Sequence, residues 1–218
     1  EVYNPQRNEW TPCPSLSCKK GFLSGVTLGD KIYAIGGGDG INCCSDVEMF
    51  DPDAWTWIPA QPMLQKRQSS AVAELKDTLY VAGGYAGNEY LKSAERFDPR
   101  EGSWSSISSM SIRRAGHSLV AMNGKLYAIG GYDGLNMVSS VEEYDHRQNL
   151  WTVSDEMMKE TRGYTTAAVI GESIFAISGL KDRNTLTETV ERYKEGEGWS
   201  LVSRKGAGKR CSCTSVVV

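Results

Sequence analysis

The chain is poor in the residues that most often build metal and catalytic sites. Its 218 residues contain only two histidines, His117 and His146. None of the six cysteines belongs to a Cys-x-x-Cys pair, so the sequence predicts no zinc site. We expect reduced thiols and no cofactor. An exposed loop around Cys43 is the first candidate for a redox-sensing site if one exists.

Other absences exclude whole classes of function. No apolar run reaches the length of a membrane span, and no signal peptide is visible. The formal net charge of −3 argues against general binding to nucleic acid or to a membrane surface. His117 lies at the start of a first strand and His146 in a turn, and neither belongs to an evident catalytic constellation, so we predict no enzyme. The expected location is the cytoplasm, with the nucleus as a second possibility.

The sequence does contain a strict internal repeat. Tryptophans recur at intervals of 47, 47, 47 and 48 residues, at Trp10, Trp57, Trp104, Trp151 and Trp199. Glycine pairs keep the same period, at Gly36 and Gly37, Gly83 and Gly84, and Gly130 and Gly131, with Ser178-Gly179 in the last repeat. Self-similarity at such a period predicts a repeat architecture.

Each repeat has the pattern of four short strands. In the third, residues 115–122 and 125–129 are apolar runs separated by Asn123-Gly124, a strong hairpin signal. Residues 140–144 and 150–153 complete the module. Because one such sheet cannot bury both faces alone, radial stacking into a β-propeller is predicted. The tryptophans then fill the space between blades, and the glycines provide positive φ or close backbone approach.

The phased motifs resemble the kelch repeat. They comprise Gly-Gly after an apolar strand, an aromatic-Asp-Pro turn, and a Trp seven residues after that aromatic. Residues 92–104 and 188–199 also resemble kelch arrays of plant proteins with a development-and-cell-death domain. The array is similar as well to those of BTB–kelch ubiquitin-ligase adaptors. The last repeat departs from the pattern at Phe175, Ser178 and Lys194.

The expected fold is therefore all-β: one kelch-type propeller domain over residues 1–218. Four complete four-stranded blades are predicted at 20–60, 67–107, 114–154 and 162–202. An incomplete fifth combines 1–12 with 210–218 and has no second strand. We interpret the chain as a fragment of a six-bladed ring. Its unpaired strand edges are expected to favour aggregation.

Propeller geometry also predicts which face binds. One face of the propeller carries two kinds of loop. They run from the second to the third strand of a blade, and from the fourth strand into the next blade. They are long and varied, whereas the other end has tight turns, and variable loops on a rigid scaffold commonly carry binding. We call this end the long-loop face. Its loops are 38–46, 85–93, 132–140, 180–189, 11–19, 59–66, 106–113 and 154–161.

A cation recurs where the long-loop face meets the first strand, at Lys20, Arg67, Arg114, Arg162 and Arg210. One interpretation is an anchor for an acidic or phosphorylated peptide of a protein partner. The other is an internal ion pair with the repeated glutamates, Glu48, Glu95, Glu142 and Glu191. Spacing alone leaves both open.

The neighbouring loops offer varied anchors for a partner protein, chiefly Tyr85, Asn88, Tyr90, Tyr132 and Asn136. The leading hypothesis is a protein-interaction module. The resemblance implies a substrate-recognition part of a cullin-based ubiquitin ligase, or a stress or cell-death signalling scaffold. The alternative is a kelch-type enzyme, or a small-ligand or metal site at the mouth of the central channel.

Overall fold

The computed structural model describes residues 1–203 and 208–217. These residues form eighteen β-strands and no helix. The strands make four antiparallel four-stranded sheets and one two-stranded sheet. The prediction of an all-β propeller with four complete blades is confirmed.

The four-stranded sheets are numbered here as blades 1 to 4, and their strands follow chain order from the inside outward. The two-stranded sheet contains β1 (Val2–Asn4) and β2 (Glu9–Thr11). Blades 1 and 2 contain β3 (Ser24–Leu28), β4 (Lys31–Ile35), β5 (Val47–Asp51), β6 (Thr56–Ala60), β7 (Ala71–Glu74), β8 (Leu79–Ala82), β9 (Ala94–Asp98) and β10 (Ser103–Ile107). Blades 3 and 4 contain β11 (Ser118–Met122), β12 (Lys125–Ile129), β13 (Val141–Asp145), β14 (Leu150–Val153), β15 (Thr166–Ile170), β16 (Ser173–Leu180), β17 (Leu186–Lys194) and β18 (Gly198–Ser203).

Local chemistry sets the tight turns. Between β11 and β12, Asn123 and Gly124 both have positive φ, of 51° and 75°, as a two-residue hairpin turn requires. Between β13 and β14, the Asp145 carboxylate accepts a hydrogen bond of 2.8 Å from the Arg147 amide. Such side-chain capping stabilises the turn.

The core lies between blades. Trp104 of blade 2 packs with Leu28, Tyr33 and Ile35 of blade 1, and its indole N–H donates to the Gln61 carbonyl at 2.9 Å. Trp151 and Trp199 occupy the same position against blades 2 and 3. Trp104, Trp151 and Trp199 therefore lie at the interface with the preceding blade, and each also packs on an aromatic ring of its own sheet.

The glycine pairs allow adjacent blades to approach. Gly83 and Gly84 have φ of +61° and +99°, and the Gly84 amide donates to the Arg114 carbonyl of the next blade at 2.7 Å. A Cβ on Gly83 would clash with that same carbonyl. In blade 4, Ser178 adopts φ of 55°, and its hydroxyl donates to the Gly208 carbonyl at 3.2 Å. The serine is thus held by a contact that glycine lacks.

Residues 208–217 do not form the first strand that the sequence predicts. They lie beside β15, where the Ser212 amide donates to the Tyr164 carbonyl at 3.0 Å and Ser215 meets Thr166. No regular backbone ladder joins the two described segments, and the Ser215 hydroxyl also donates to the Ala167 carbonyl at 3.1 Å. Val218 of that predicted partial blade lies outside the described residues.

Replacing Trp104 with Ala tests the packing between blades. The indole is almost fully buried, so we expect a loss of roughly 3–5 kcal/mol in the free energy of unfolding. Urea denaturation of the two proteins measures it. The exposed Trp10 is the matched control, and its replacement by Ala should cost far less. Equal losses at the two positions would contradict the assignment.

Candidate partner-binding face

The loops of the long-loop face are ordered by short internal contacts. Antiparallel bridges join Gly38 to Cys43, Tyr85 to Tyr90, and Tyr132 to Met137. In blade 3 the Asp133 carboxylate also accepts hydrogen bonds of 2.7 Å from the amides of Leu135 and Asn136. The loop tips are consequently held in place by the backbone and present their side chains outward.

Four of the five recurring cations, Lys20, Arg67, Arg114 and Arg162, have buried side chains, which overturns their predicted role as partner anchors. The Arg114 side chain has no exposed surface, and its Nε and Nη2 donate to one Glu142 oxygen at 3.2 and 3.1 Å. Its Nη1 donates to the carbonyls of Gly130 and Ser140 at 2.8 and 2.9 Å. The guanidinium is already saturated with internal acceptors and cannot bind an external carboxylate.

The same arrangement recurs in the other blades. Arg67 pairs with Glu95 at 3.0 Å, Arg162 with Glu191 at 2.9 Å, and Lys20 with Glu48 at 2.8 Å; all three cationic side chains are fully buried. Arg210 differs, because it is exposed and forms no ion pair with any described residue. The sequence left two interpretations of the recurring cations open. For Lys20, Arg67, Arg114 and Arg162 the structure shows the second, an internal ion pair with a glutamate.

Each buried glutamate also holds the loop that enters its blade. In blade 3, Glu142 accepts a hydrogen bond of 2.6 Å from the Ser111 amide, and in blade 2 Glu95 accepts one of 2.6 Å from Leu64. Burial lowers the pKa of Arg114, and the charge of Glu142 opposes that shift. An arginine guanidinium keeps its proton at neutral pH in spite of such a shift, because its ordinary pKa is far above 7.

The predicted tyrosines form a half-buried cluster. The Tyr90 ring lies 4.9 Å from that of Tyr85 and 5.1 Å from that of Tyr132, measured between centroids. The hydroxyls of Tyr85 and Tyr132 donate to the carbonyls of Gly87 and Gly134 in their own loops. These two residues therefore present ring surface to a partner, while their hydroxyls bond within the loops.

A groove separates the loops of blades 3 and 4. Its volume is about 850 Å³, and its lining includes Tyr132, Leu135, Asn136, Lys181, Arg183 and Thr185. Leu135 stands at the tip of its loop with 77% of its surface exposed. The structure thus brings Tyr132 and Asn136 together, while Tyr85 and Asn88 belong to the neighbouring loop.

Blade 4 contributes the charged wall of this groove. Lys181 donates to Glu160 at 2.6 Å, and Glu160 also accepts hydrogen bonds from Thr187 and Thr189. Burial raises the pKa of Glu160, but these bonds outweigh it and hold the pKa at about 2. Arg183 is exposed without an ion pair to any described residue. Sequence reasoning missed Lys181 and Arg183, although this loop is the one that departs from the repeat length.

Cys43, the candidate for a redox-sensing site, and His117, which was not a predicted site residue, both lie in the interior. Cys43 is buried near Gly87 of the blade 2 loop, which argues against the alternative of an exposed redox-sensing thiol there. His117 is also buried, and neither ring nitrogen has a hydrogen-bond partner among the described residues. Burial, aided by Arg114 and Arg67, lowers the pKa of His117 to about 3.

Within the described ranges, no three His, Cys, Asp or Glu side chains are grouped to hold a metal ion. The same part of the chain contains no helix long and apolar enough to cross a bilayer.

Radial sheets joined by tight turns at one end and variable loops at the other define a β-propeller built from repeats. The family model described as the KLHDC2/KLHL20/DRC7 Kelch-repeats domain matches residues 2–131, and the Kelch motif matches residues 113–158. The chain belongs to the kelch-repeat family. The solved structure of YjhT is similar in fold, with a TM-score of 0.78 at 16% identity over 88% of this chain and 68% of that chain.

Breaking one buried ion pair should be strongly destabilising. We expect Arg114→Met to lower the free energy of unfolding by roughly 3–5 kcal/mol, since it leaves the Glu142 charge buried without its partner. The double variant Arg114→Met/Glu142→Leu removes both charges and should recover much of that loss. Urea denaturation compares the three proteins. An unchanged stability in the single variant would contradict the network.

His117 should make stability depend on pH. Because its folded pKa of about 3 lies below the ordinary 6.5, the unfolded chain binds an extra proton between these values. Stability therefore falls as pH drops through this window, by roughly 1.4 kcal/mol per unit at most. Leu23 occupies the equivalent position in blade 1, so His117→Leu is the matched variant. The free energy of unfolding of this variant should fall less steeply than that of the wild type between pH 6.5 and 5. Equal dependence on pH in the two proteins would refute the lowered pKa of His117.

Proposed function

We propose that the chain is a protein-interaction module that binds its partner at the long-loop face, centred on the groove between blades 3 and 4. The observation that carries this proposal is Leu135, a large apolar side chain held 77% exposed beside a groove of about 850 Å³. An exposed apolar anchor with polar groups around it is a typical arrangement at binding surfaces.

Rigidity supports the same proposal. The Leu135 tip is fixed by Asp133, and the opposite wall is fixed through Lys181 and Glu160. A partner that binds there loses little free energy in ordering these loops. The groove is thus largely formed before binding.

Variation between blades supports selectivity. The tip position is Ile41 in blade 1, Asn88 in blade 2 and Leu135 in blade 3, and all three side chains are exposed. The buried cation and glutamate, in contrast, repeat in every blade. The same buried ion pair therefore supports loop tips that carry different side chains. Such variation between blades allows a surface to select one partner over others.

Membership of the kelch family supports a more specific role. We propose that the module recognises substrates for a cullin-based ubiquitin ligase or serves as a stress or cell-death signalling scaffold, in the cytoplasm or nucleus. The first role rests on the resemblance to BTB–kelch adaptors, and the second on the resemblance to plant kelch proteins. Co-purification of a cullin with the full-length protein distinguishes the two.

The groove is tested by Leu135→Ser/Arg183→Ala, which removes one anchor from each wall. The matched control is Ile170→Ser/Arg147→Ala, because Ile170 and Arg147 are exposed at the tight turns of the opposite end. Affinity capture from cell extract with the full-length protein, followed by titration of the purified partner, measures binding. We expect roughly tenfold or greater loss for the groove variant alone. Equal binding by both variants would refute the proposal.

A further inference from the structure

A second cation immediately precedes the recurring one in most repeats; the side chain of the recurring cation is buried in blades 1 to 3 and exposed at Arg210. Lys19, Lys66, Arg113 and Lys209 occupy this position, and blade 4 has Thr161 instead. All four cations are exposed, and none forms an ion pair with a residue in the described part of the chain. In blades 1 to 3, therefore, one cation of each pair forms a buried ion pair and its neighbour forms none with a described residue.

One of these exposed cations, Lys19, lines a groove between loops. Lys19 lines a groove of about 450 Å³ with Phe22 and Gly38, and Thr161, its equivalent in blade 4, lines the groove that contains Leu135. Burial raises the pKa of Cys43, and Lys66 lies close enough to oppose that rise. Lys19 in blade 1 and Thr161 in blade 4 therefore each line a groove. Lys66 lies near Cys43 in the loop of blade 1.

The nearby carboxylates are directed into their own loops. Asp39, Asp133 and Asp182 each accept two backbone amide hydrogen bonds. Such bonds hold the carboxylates in place, and their pKa is lowered at Asp39 and Asp182. Their geometry leaves the exposed cations free to bind an anion from outside. In blade 4, where Thr161 breaks the pattern, the exposed Arg183 supplies a cation from the loop.

We propose that Lys19, Lys66, Arg113 and Lys209 form a ring of cations that recognises an acidic peptide segment of the partner. This inference rests on the proposed function and names the chemistry of the partner. Complementary charge favours the correct partner and speeds its approach. Carboxylate and phosphate groups both satisfy this chemistry, and either binds a lysine ammonium or an arginine fork.

The test uses peptides selected without bias towards charge. Random peptides displayed on phage are panned on the full chain, and the most enriched sequence is synthesised with a fluorescent label. Binding is measured by anisotropy for the wild type, for Lys66→Gln/Arg113→Gln, and for the control Lys76→Gln/Arg147→Gln. The control removes one exposed lysine and one exposed arginine from the tight-turn end, so both variants lose the same charge. Thermal unfolding verifies that all three proteins are folded.

We expect the enriched peptides to be rich in Asp and Glu. Affinity should fall roughly tenfold in Lys66→Gln/Arg113→Gln and stay unchanged in the control, because an exposed ion pair contributes modestly and two are removed. Added salt should weaken the wild-type complex more than the variant complex. Replacement of one peptide Glu by phosphoserine then shows which anion is preferred: tighter binding assigns the site to phosphate, and weaker binding assigns it to carboxylate.

Other outcomes separate this inference from the proposed function. Enriched peptides without acidic residues, whose binding is lost in Leu135→Ser/Arg183→Ala, would overturn the cation ring and leave the groove in place. Equal loss in both charge variants would also overturn it, since only total charge would then matter. Acidic peptides that bind Leu135→Ser as tightly as the wild type would support the ring and overturn the groove; this comparison leaves Arg183 unchanged because it is a cation of the same face. No enrichment at all would overturn both.

Discussion

The buried ion pair between the recurring cation and the recurring glutamate is the contact on which the blades depend. A charge without a partner in the interior is costly, so each cation requires its carboxylate and further acceptors. In blade 3, Arg114 meets this need with Glu142 and with the carbonyls of Gly130 and Ser140. Its own carbonyl accepts the Gly84 amide of blade 2. One residue thereby joins two blades and three strand ends.

The glycine pair is the other half of the same contact. Gly83 must have no Cβ because the Arg114 carbonyl lies where that atom would be. The arginine and the glycine therefore recur with the same period for a single physical reason. The loop that enters blade 3 belongs to the same network, since Glu142 accepts a hydrogen bond from the Ser111 amide. With the loop bases fixed in this way, the tips can change from blade to blade without loss of the fold.

Much of the fold could be predicted from the sequence because its signals are local and repeated. Asn123-Gly124 indicates its hairpin, and the spacing of tryptophans indicates blades that pack on one another. The candidate site was harder to predict from the sequence. Arg114 has the residue type and spacing of a peptide anchor as well as of an ion pair, and only its burial distinguishes them. The groove was missed in part because its walls, at Leu135 and Arg183, come from different blades.

The sequence by itself determined the period, the four-stranded module and the end of the propeller that carries the variable loops. These follow from turn chemistry and from hydrophobic patterning within one repeat. Only the tertiary structure decided which cation is internal and which is exposed, because Arg113 and Arg114 are adjacent and chemically alike. Backbone geometry at the start of the first strand turns one side chain towards Glu142 and leaves the other in solvent. The folded blade makes that distinction, because Glu142, Gly130 and Ser140 meet the Arg114 side chain only once the strands have paired.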